Sequence, residues 1–581
     1  MATLKQDILD MLHELIELTT LDEGDVQSFR VRAYESATRA VEAYPGDPAA
    51  LGAKELMALE GIGKATAAKI RELVDTGHVK KVDDLRAKHP ASVVALLRIP
   101  GLGPKNVIRL HRELGILGIE DLRRAVAEHR LRELRGFGEK SEEKLAHTLE
   151  RMAREGSETR TPIAVALPVA ERVVEELAAL PGVTHASFCG SLRRFSETIG
   201  DVDVVVCATD PGPVMEALVT LSFVDRVLVR GDAKTSVVTR RGLQIDLRVV
   251  KEAELGAALL YFTGNKAHNI KLRQRALARG MTLNEYALAE TATGKVVAAR
   301  TEESIYAALG LPWIPPTLRE DVGEIELAER GALPAPIDPA AVLGDFHVHT
   351  SVSGDGRSSL EEVVAAARAR GLRVLAITDH AEGTVAGVGR EALLEQRRRI
   401  AALQAELGDE MLLLHGVELN IGAGGELDYD DAFRRQFDWC LASVHDHFDL
   451  DREGQTRRIV TAMRDPSVRM IGHLSARLIG GRPPIELDLD AVFAAAEETG
   501  TALEINGGLP RLDVSVDVLR RARGRAVTFV LTSDAHHASE IGRLEFARRN
   551  AEKAGLDPAR IANVWPRERL AAWAREKRAH G

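Results

Sequence analysis

The segment from Gly190 to Val206 reads GSLRRFSETIGDVDVVV and ends in a run typical of a β-strand. Alternate side chains of a strand point to the same face, so Asp201 and Asp203 are predicted to lie side by side. Two carboxylates this close repel each other unless a cation lies between them, and hard oxygen ligands suit Mg²⁺. A third carboxylate, Asp246, lies in the later strand-like run 243–250. Together the three aspartates predict a two-metal site for phosphoryl or nucleotidyl transfer.

A Gly-Ser pair precedes the two aspartates. A tight turn at Gly190 and Ser191 that opens into a helix would offer backbone N–H groups and a hydroxyl to a phosphate. Arg193 and Arg194 add positive side chains for a polyphosphate. The alternative is a hairpin that carries a solvated Asp-x-Asp pair. The Gly-Ser turn and Asp246 favour the metal site.

This stretch resembles the nucleotidyltransferase palm of the family X DNA polymerases, the group that includes DNA polymerase beta. Gly190, Ser191, Arg194, Glu197 and the run 200–203 all stand at the family's spacing. The resemblance implies that Asp201, Asp203 and Asp246 are catalytic and bind two Mg²⁺ or Mn²⁺ ions. It also implies that Gly190, Ser191 and Arg194 bind the incoming nucleotide. Phe195 departs from the pattern, because many relatives carry Gly there, and its bulk is sufficient to alter the phosphate pocket.

Composition limits the possible partners of the chain. Its 581 residues carry 77 Lys and Arg against 87 Asp and Glu, a formal charge of −10. Non-specific DNA binding usually rests on an excess of cations, so we expect any grip on DNA to be local or to use backbone amides. No apolar run reaches the length of a membrane span, and the start lacks a secretory pattern. We expect a monomeric, cytoplasmic protein associated with the bacterial nucleoid.

The N-terminal part repeats a motif of two short helices joined by a Gly-apolar-Gly turn. Such a turn presents free N–H groups at a helix N-terminus, which can hold a phosphate without reading a base. The copies resemble helix-hairpin-helix motifs, which bind the DNA backbone. Plain helical hairpins with glycine caps are the alternative, most of all for the weaker third copy. The predicted DNA-binding glycines are Gly61 and Gly63, Gly101 and Gly103, and Gly136 and Gly138.

Lys69 follows the first of these turns. In the DNA polymerase beta branch a lysine at this place attacks an abasic sugar as a Schiff base, so the resemblance implies a lyase role. Such a lysine needs a lowered pKa, from desolvation or a neighbouring cation. Lys64 stands one place earlier than the family's second lysine. A solvated lysine that only contacts a phosphate is the equal alternative.

The palm is expected to be helix-flanked and mostly antiparallel, and a nucleotide-binding subdomain follows it. The predicted palm strands are 183–189, 201–207, 224–229, 235–239 and 243–250. Beyond them the segment Tyr261-Phe-Thr-Gly264 and Asn269 resemble the nucleotide-binding subdomain of the same family. The resemblance implies that Tyr261 and Phe262 lie against the sugar and that Asn269 reaches the base. Ordinary core packing is the alternative for the two aromatic residues.

After a Pro-rich linker, seven apolar runs alternate with helical patterns, and metal-capable side chains recur at their ends. Strand–helix alternation predicts parallel strands, and chemistry at their C-terminal ends is the habit of β/α barrels. A single histidine would indicate a core residue, but six histidines with two carboxylates indicate a metal centre. A mixed nitrogen and oxygen ligand set favours Zn²⁺ or Mn²⁺, and the count suggests two to three ions.

This segment resembles the PHP (polymerase and histidinol phosphatase) domain, which has phosphoesterase chemistry on a trinuclear site. The resemblance implies the fold, a distorted (β/α)7 barrel, and the ligand set. Asp355 is the candidate for the remaining ligand, although its loop is one residue longer than usual. The matching ligands are His347, His349, His380, Glu418, His445, His473, Asp534 and His536.

The order of segments is similar to that of bacterial family X polymerases over the whole chain. We expect gap filling in base excision repair on gapped or nicked duplex DNA with dNTP, and a 3′–5′ exonuclease or 3′-end phosphoesterase. AP lyase and AP endonuclease activities are further expectations. The alternatives are a template-independent nucleotidyltransferase and a non-catalytic DNA-binding scaffold. The expected segments are a lyase-like helical domain (1–85), a helix-hairpin-helix subdomain (86–160), the palm (161–255), the nucleotide-binding subdomain (256–328), a linker (329–341) and the PHP domain (342–581).

Overall fold

The computed structural model describes residues 5–24, 28–44, 47–59, 61–99, 102–134, 137–139, 141–143, 145–146, 149, 160–231, 234–384 and 386–576. These residues group into two units. The first lies within Met1–Thr159, Val219–Leu228 and Val237–Leu243, and the second within Arg160–Leu218, Val229–Ser236 and Gln244–Gly581.

The N-terminal part of the first unit is helical, as the spacing of its apolar residues predicts. Leu12, Leu15 and Ile70 are fully buried in its core. Ser28 caps one helix by accepting a hydrogen bond from the Val31 amide at 3.3 Å. Its described α-helices are Lys5–Glu23, Phe29–Ala43, Ala53–Ala58, Lys64–Thr76, Lys80–Lys88, Ala91–Val94, Pro104–Leu114 and Ile119–Ala127.

The palm segment is built on a sheet with the strand order β2-β4-β7-β6-β5. β4 pairs with β2 in antiparallel register but with β7 in parallel register, so the mostly antiparallel expectation does not hold at the site itself. The helices are Ile163–Ala178, Gly190–Arg193 and Pro211–Val219. The strands are β1 (Thr161–Pro162), β2 (Val183–Phe188), β3 (Thr198–Ile199), β4 (Asp201–Ala208), β5 (Val224–Arg230), β6 (Lys234–Thr239) and β7 (Gln244–Val250).

The segment after the palm packs helices around a small antiparallel sheet. Leu260, Leu272 and Tyr306 are buried in its core. Its strands are β8 (Met281–Leu283), β9 (Leu288–Glu290) and β10 (Val296–Ala298), and its α-helices are Leu255–Thr263, Lys266–Ala278, Glu302–Ala308 and Glu324–Glu329.

The C-terminal part is a parallel barrel of seven strands in sequential order, so the predicted fold class is confirmed. A parallel bridge between Val348 and Ala535 joins the two ends of the sheet and brings the barrel close to closure. The strands are β11 (Gly344–Asp345), β12 (Val374–Ile377), β13 (Leu412–Asn420), β14 (Trp439–Ser443), β15 (Val468–Ile471), β16 (Ala502–Asn506) and β17 (Phe529–Thr532).

Helices alternate with these strands and cover them, so the strands read as nearly continuous apolar runs. Among the described residues, no helix combines the length and apolar character that crossing a membrane requires. The barrel's α-helices are Leu360–Ala369, Arg390–Leu407, Asp431–Arg434, Arg452–Arg464, Leu489–Thr499, Val516–Arg521, Leu544–Ala554 and Arg567–Arg575.

Candidate active sites

The three palm aspartates converge from two neighbouring strands. Asp203 of β4 stands directly opposite Asp246 of β7 in the parallel register, and Asp201 lies two residues earlier on the same face as Asp203. Each offers a carboxylate oxygen, and these oxygens all lie within 4.8 Å of one another. The spacing suits oxygen ligands that share divalent ions.

Lys234 pairs with one member of this trio, Asp246, and the repulsion among the three carboxylates acts on Asp203. Burial, followed by the repulsion of Asp201 and Asp246, raises the pKa of Asp203 to about 7. The pKa of Asp246 is lowered: burial raises it, but hydrogen bonds from Lys234, Gln244 and others outweigh that effect. The Lys234 ammonium lies 2.9 Å from Asp246, and the Gln244 amide donates to its other oxygen at 2.9 Å. A carboxylate that is hard to ionise beside two others fits a site that takes up cations.

Gly190 is required by this geometry. It has φ +61°, a region that L-residues with a side chain avoid. A Cβ atom built on it would lie 2.5 Å from the Asp203 carboxylate. The backbone of the turn at Gly190 and Ser191 therefore approaches the Asp203 carboxylate as closely as a glycine allows. Ser191 follows it in the short helix Gly190–Arg193.

The two arginines of the turn have different environments. Arg193 donates two hydrogen bonds of 2.9 Å to the buried Glu302 and one of 2.6 Å to the Thr263 hydroxyl, so its charge is already paired. Arg194 donates to the Thr263 carbonyl at 2.5 Å and, through Nε, to Glu320 at 3.4 Å. Since the Glu320 contact is long, Arg194 is the arginine that remains suited to a triphosphate.

Tyr261, Phe262 and Asn269 lie on two consecutive helices, Leu255–Thr263 and Lys266–Ala278, which are joined at Gly264 and Asn265. The rings of Tyr261 and Phe262 meet edge to face, with centroids 5.1 Å apart, and 39% of Tyr261 is exposed. The Asn269 amide donates to the Tyr261 carbonyl at 2.8 Å. A Cβ atom at Gly264 would lie 3.3 Å from the Arg194 guanidinium, so the turn at Gly264 adjoins the helix Gly190–Arg193 and the residue that follows it. Asn265 caps the next helix by accepting from the His268 amide at 2.8 Å.

The C-terminal ends of the barrel strands hold a second cluster. Its potential ligands fall into three groups. His349 belongs to two of the groups and His380 also to two, so the groups adjoin as a site for up to three ions requires. His473 joins them through a contact of 3.0 Å between its Nε2 and Glu418. The groups are His349 with Asp355, His380 and His536; His347 with His349 and Asp534; and His380 with Glu418 and His445.

The buried nitrogens of this cluster fit bound metal. Both ring nitrogens of His349 are buried without a hydrogen bond in the described part of the chain, and its nearest carboxylates, on Glu418 and Asp534, are 3.5 Å away. Burial, with the neighbouring His536 and His380, lowers the pKa of His349 to about 3. A neutral, unpaired imidazole in a buried site is the form that binds metal, and unsatisfied buried polar atoms are rare without such a reason.

Asp355 lies in the cluster in spite of its longer loop. Its carboxylate is 3.1 Å from His380 Nε2 and 3.2 Å from His536 Nε2. Burial opposes ionisation, but the hydrogen bonds from these two histidines hold the pKa of Asp355 far below its ordinary value. Glu418 lies inside β13, which continues for two residues beyond it, rather than at the end of a strand as predicted.

Four family models match the sequence. A DNA polymerase beta thumb model matches residues 258–320, and a PHP domain model matches residues 345–507. A helix-hairpin-helix model matches residues 4–79, and a SAM-like helix-hairpin-helix tandem matches 53–115 and 93–151. The sequence is 34% identical over 564 residues to the DNA polymerase/3′-5′ exonuclease PolX of Bacillus subtilis strain 168, covering 96% of this chain and 97% of that protein. The chain belongs to the family X DNA polymerases with a C-terminal PHP domain.

Two further relatives each match a part of this family X polymerase. DNA polymerase lambda of Rattus norvegicus is 27% identical over 327 residues, 51% of this chain and 53% of that protein. A probable phosphatase of Vibrio cholerae serotype O1 is 28% identical over 236 residues, 39% of this chain and 91% of that protein.

The helix-hairpin-helix glycines of this polymerase are partly described. Gly61 has φ +98°, and a Cβ atom there would lie 2.8 Å from the Ser36 carbonyl oxygen. Gly63 and Gly103 precede the first residues of the helices Lys64–Thr76 and Pro104–Leu114. Gly138 accepts hydrogen bonds from the amides of Ser141 and Glu142. Gly101 and Gly136 lie outside the described residues.

Lys69 lies on the second helix of the first hairpin. Its ammonium donates to the Ala65 carbonyl at 3.1 Å and lies 5.6 Å from the centroid of the Tyr34 ring. Partial burial lowers its pKa, with Lys81 and Arg30 acting in the same direction and Glu72 opposing them. This is the direction that an amine nucleophile requires.

Glu504 is a residue of the barrel site that the sequence analysis missed. Its carboxylate accepts hydrogen bonds of 2.6 Å from His347 Nδ1 and from the Thr532 hydroxyl, and another from the His473 amide. It therefore fixes which nitrogen of His347 faces the cluster. The signal was available, because Glu504 is the single charged residue in the apolar strand Ala502–Asn506.

Proposed function

We propose that this family X polymerase fills short gaps in damaged duplex DNA with its palm and trims 3′ ends with its PHP barrel. One observation carries the polymerase half: Asp203 and Asp246 stand opposite each other on adjacent strands, beside a glycine turn that contacts Asp203. Three acceptors at this spacing, next to a phosphate-binding turn, suit the joining of a primer hydroxyl to a triphosphate.

In the palm, Asp201, Asp203 and Asp246 would hold Mg²⁺ or Mn²⁺. Bound divalent ions supply charge neutralisation for the triphosphate and lower the pKa of the primer 3′-hydroxyl. Ser191 and Arg194 bind the triphosphate oxygens and orient the α-phosphorus for in-line attack, with pyrophosphate as the leaving group. Tyr261 and Phe262 lie against the sugar of the incoming nucleotide.

In the barrel, the nine predicted ligands would hold two or three Zn²⁺ or Mn²⁺ ions, which supply an activated nucleophile at neutral pH. The substrate is a 3′-terminal phosphodiester or another 3′-blocking phosphate ester, and an abasic site is a further candidate. Glu504 keeps Nδ1 of His347 protonated, so that its Nε2 faces the ions. Asn506 donates to Asp534 at 3.0 Å and orients that carboxylate.

A double dissociation tests the two halves. Asp203→Asn is expected to lower gap filling by at least about a thousandfold, because loss of several kcal/mol of transition-state stabilisation has that effect. Glu418→Gln is expected to do the same to 3′ resection, and each variant should keep the other activity within about twofold. Both activities are measured on one-nucleotide-gapped DNA with Mg²⁺ or Mn²⁺. A common loss in either variant contradicts the two-site assignment.

Two substrate controls belong to the same experiment. Extension of a single-stranded primer at the rate of the gapped substrate would favour a template-independent nucleotidyltransferase. Absence of gap filling by the wild-type protein would favour a scaffold that lacks catalysis, and an unchanged rate in Asp203→Asn would contradict the role of Asp203. We further propose the cytoplasm and the nucleoid as the location, a monomer as the working form, and the six predicted segments as its domains.

A lyase at Lys69 is a second candidate activity, favoured by the lowered pKa of its amine. Borohydride reduction should trap this protein on 5′-deoxyribose-phosphate DNA, and Lys69→Ala should remove that adduct. Lys81→Ala is the control, since Lys81 is a nearby lysine that acts on Lys69 only through its charge. Equal trapping of wild type and Lys69→Ala would leave Lys69 as a phosphate contact.

A further inference from the structure

The palm loop that follows the phosphate-binding turn packs on the PHP barrel, and both belong to the second unit. Phe195 has φ +56° and is 2% exposed. Its ring stacks on Phe546 of the helix Leu544–Ala554, with centroids 5.9 Å apart and planes at 19°. A bulky residue is unfavourable in the left-handed region, whereas Gly is not. Phe195, the residue that departs from the family pattern, therefore packs against the barrel.

The same barrel helix carries Lys553, whose side chain is 8% exposed. Its ammonium donates to the Arg194 carbonyl at 2.8 Å and to the Glu320 carboxylate at 2.7 Å. Glu320 is also the acceptor of the 3.4 Å contact from Arg194 Nε. Lys553 thus touches the backbone of Arg194 and shares a carboxylate with its guanidinium.

A second ion pair fixes the loop from the other side. Arg477 of the barrel donates two hydrogen bonds, of 2.7 and 2.9 Å, to Glu197 of the palm. Bidentate pairs of this kind hold geometry as well as charge. The loop from Arg194 to Glu197 is therefore attached to the barrel at each end and in its middle.

The charges decide what Lys553 does. One carboxylate, Glu320, lies between two cations, and it is nearer to Lys553 than to Arg194. Burial raises the pKa of Glu320, but Lys553 and Arg194 outweigh it, so the carboxylate is ionised. Burial lowers the pKa of Lys553, and its contact with Glu320 opposes that effect. With Lys553 protonated, the three groups carry one net positive charge. Without it, Arg194 would neutralise Glu320 alone, and a triphosphate would have to compete with that carboxylate for the guanidinium.

We propose that Lys553 of the PHP barrel is a positioning residue of the polymerase site: it occupies Glu320 and holds the Arg194 backbone, which leaves the Arg194 guanidinium for the incoming triphosphate. This inference rests on the proposed role of Arg194. The barrel then serves polymerisation through structure, independently of its own phosphoesterase chemistry.

Steady-state gap filling by the full-length protein tests the proposal. Lys553→Met should raise the KM for dNTP by about tenfold and change kcat by less than about threefold, as expected when one partly buried charge pair is unbalanced. Adding Glu320→Gln to Lys553→Met should return KM toward the wild-type value, because the competing carboxylate is gone. Lys553→Arg keeps the charge and should stay near wild type.

The control is Arg548→Met on the same helix. Arg548 pairs with Glu545 and Glu552 and donates to the Ile337 carbonyl, without contact to Glu320. The Arg548→Met variant should leave the KM for dNTP unchanged. In Lys553→Met, 3′ resection should be unchanged, and this activity reports that the barrel is intact. An unchanged KM in Lys553→Met overturns the proposal. A KM that Glu320→Gln does not restore, or that rises equally in Arg548→Met, also overturns it.

Arg194→Met separates this inference from the assignment on which it rests. If that variant leaves the KM for dNTP unchanged, Arg194 does not bind the triphosphate and the site assignment fails. If it raises KM while Lys553→Met does not, the site assignment stands and only the role of Lys553 is wrong.

Discussion

The palm and the barrel both gather acidic side chains, but they build their clusters in opposite ways. The palm trio comes from two neighbouring strands, and its Asp201 is exposed. The barrel cluster draws on six of the seven strands or the loops after them, and His347 and His349 are fully buried within it. The palm site thus depends on one strand register and one glycine, whereas the barrel site depends on closure of the whole sheet.

The two clusters also differ in how charge is balanced without metal. In the palm, like charges and burial raise the pKa of Asp203 to about 7. In the barrel, burial raises the pKa of Glu418, but the neighbouring histidines outweigh it and hold that pKa well below its ordinary value. Burial lowers the pKa of His380, but the carboxylates of Glu418 and Asp355 outweigh it and raise that pKa to about 10. Mixed ligands can neutralise one another, and three carboxylates cannot.

Among the tests of this comparison between the two clusters, the largest effect is expected from breaking the close approach in the palm. Gly190→Ala would put a Cβ atom 2.5 Å from the Asp203 carboxylate and force it to move. Gap filling should fall by about a hundredfold, the cost of a misplacement of about 1 Å at a reacting site. Resection in the barrel should be unchanged in the same assay.

Gly242→Ala is the matched control, since Gly242 has φ +80° but no atom within 4 Å of the position that a Cβ atom would take. It carries the same backbone strain without the clash. If both variants lose gap filling equally, strain alone explains the loss and Gly190 has no special relation to Asp203.

A smaller effect is expected from the orienting carboxylate of the barrel. Glu504→Gln weakens the hydrogen bond that polarises His347, so the Mn²⁺ concentration for half-maximal resection should rise by about 30-fold. Glu410→Gln, at an exposed pair with Arg368, should have no effect. The idea is contradicted if the metal dependence of Glu504→Gln matches that of the control.

The smallest effect concerns pH in the palm. Because Asp203 must lose a proton to bind a cation, and its pKa is about 7, apparent Mn²⁺ affinity should fall by about tenfold between pH 8 and pH 6. Electron paramagnetic resonance would follow Mn²⁺ binding to a His349→Ala, Glu418→Gln protein, in which the barrel site is disabled. DNA and dNTP are left out, so only the protein titrates.

The same protein with Asp203→Asn provides the comparison, because its Mn²⁺ affinity should lose this dependence on pH. A flat profile in the presence of Asp203 would mean that the carboxylate is already ionised at pH 6. The difference in charge balance between the two clusters would then be smaller than the geometry indicates.

Much of the fold was predictable from local pattern. Five of the seven strands in the palm segment were predicted within one residue of their ends, because runs of β-branched and apolar residues have few other solutions. The two-residue strands β1 and β3 were not predicted, because they are too short to show a period. The (β/α)7 barrel followed from apolar runs that alternate with helical patterns. Glu504 was missed: its position as a charged residue in an apolar run marked it as unusual, but its partner His347 lies 157 residues away along the chain, and periodicity within one strand does not reveal such a contact.

The sequence alone determined the chemical inventory: three palm aspartates, a Gly-Ser turn, and nine metal-capable side chains on barrel strands and loops. It did so because these residue types recur at spacings that local backbone geometry imposes. Only the tertiary structure decided which arginine has its charge paired within the protein, since Arg193 donates to Glu302, which lies 109 residues away along the chain. It also decided that Phe195 stacks on Phe546 and that the Arg194 carbonyl accepts a hydrogen bond from Lys553. Contacts between such distant segments arise from packing and leave no period in the sequence.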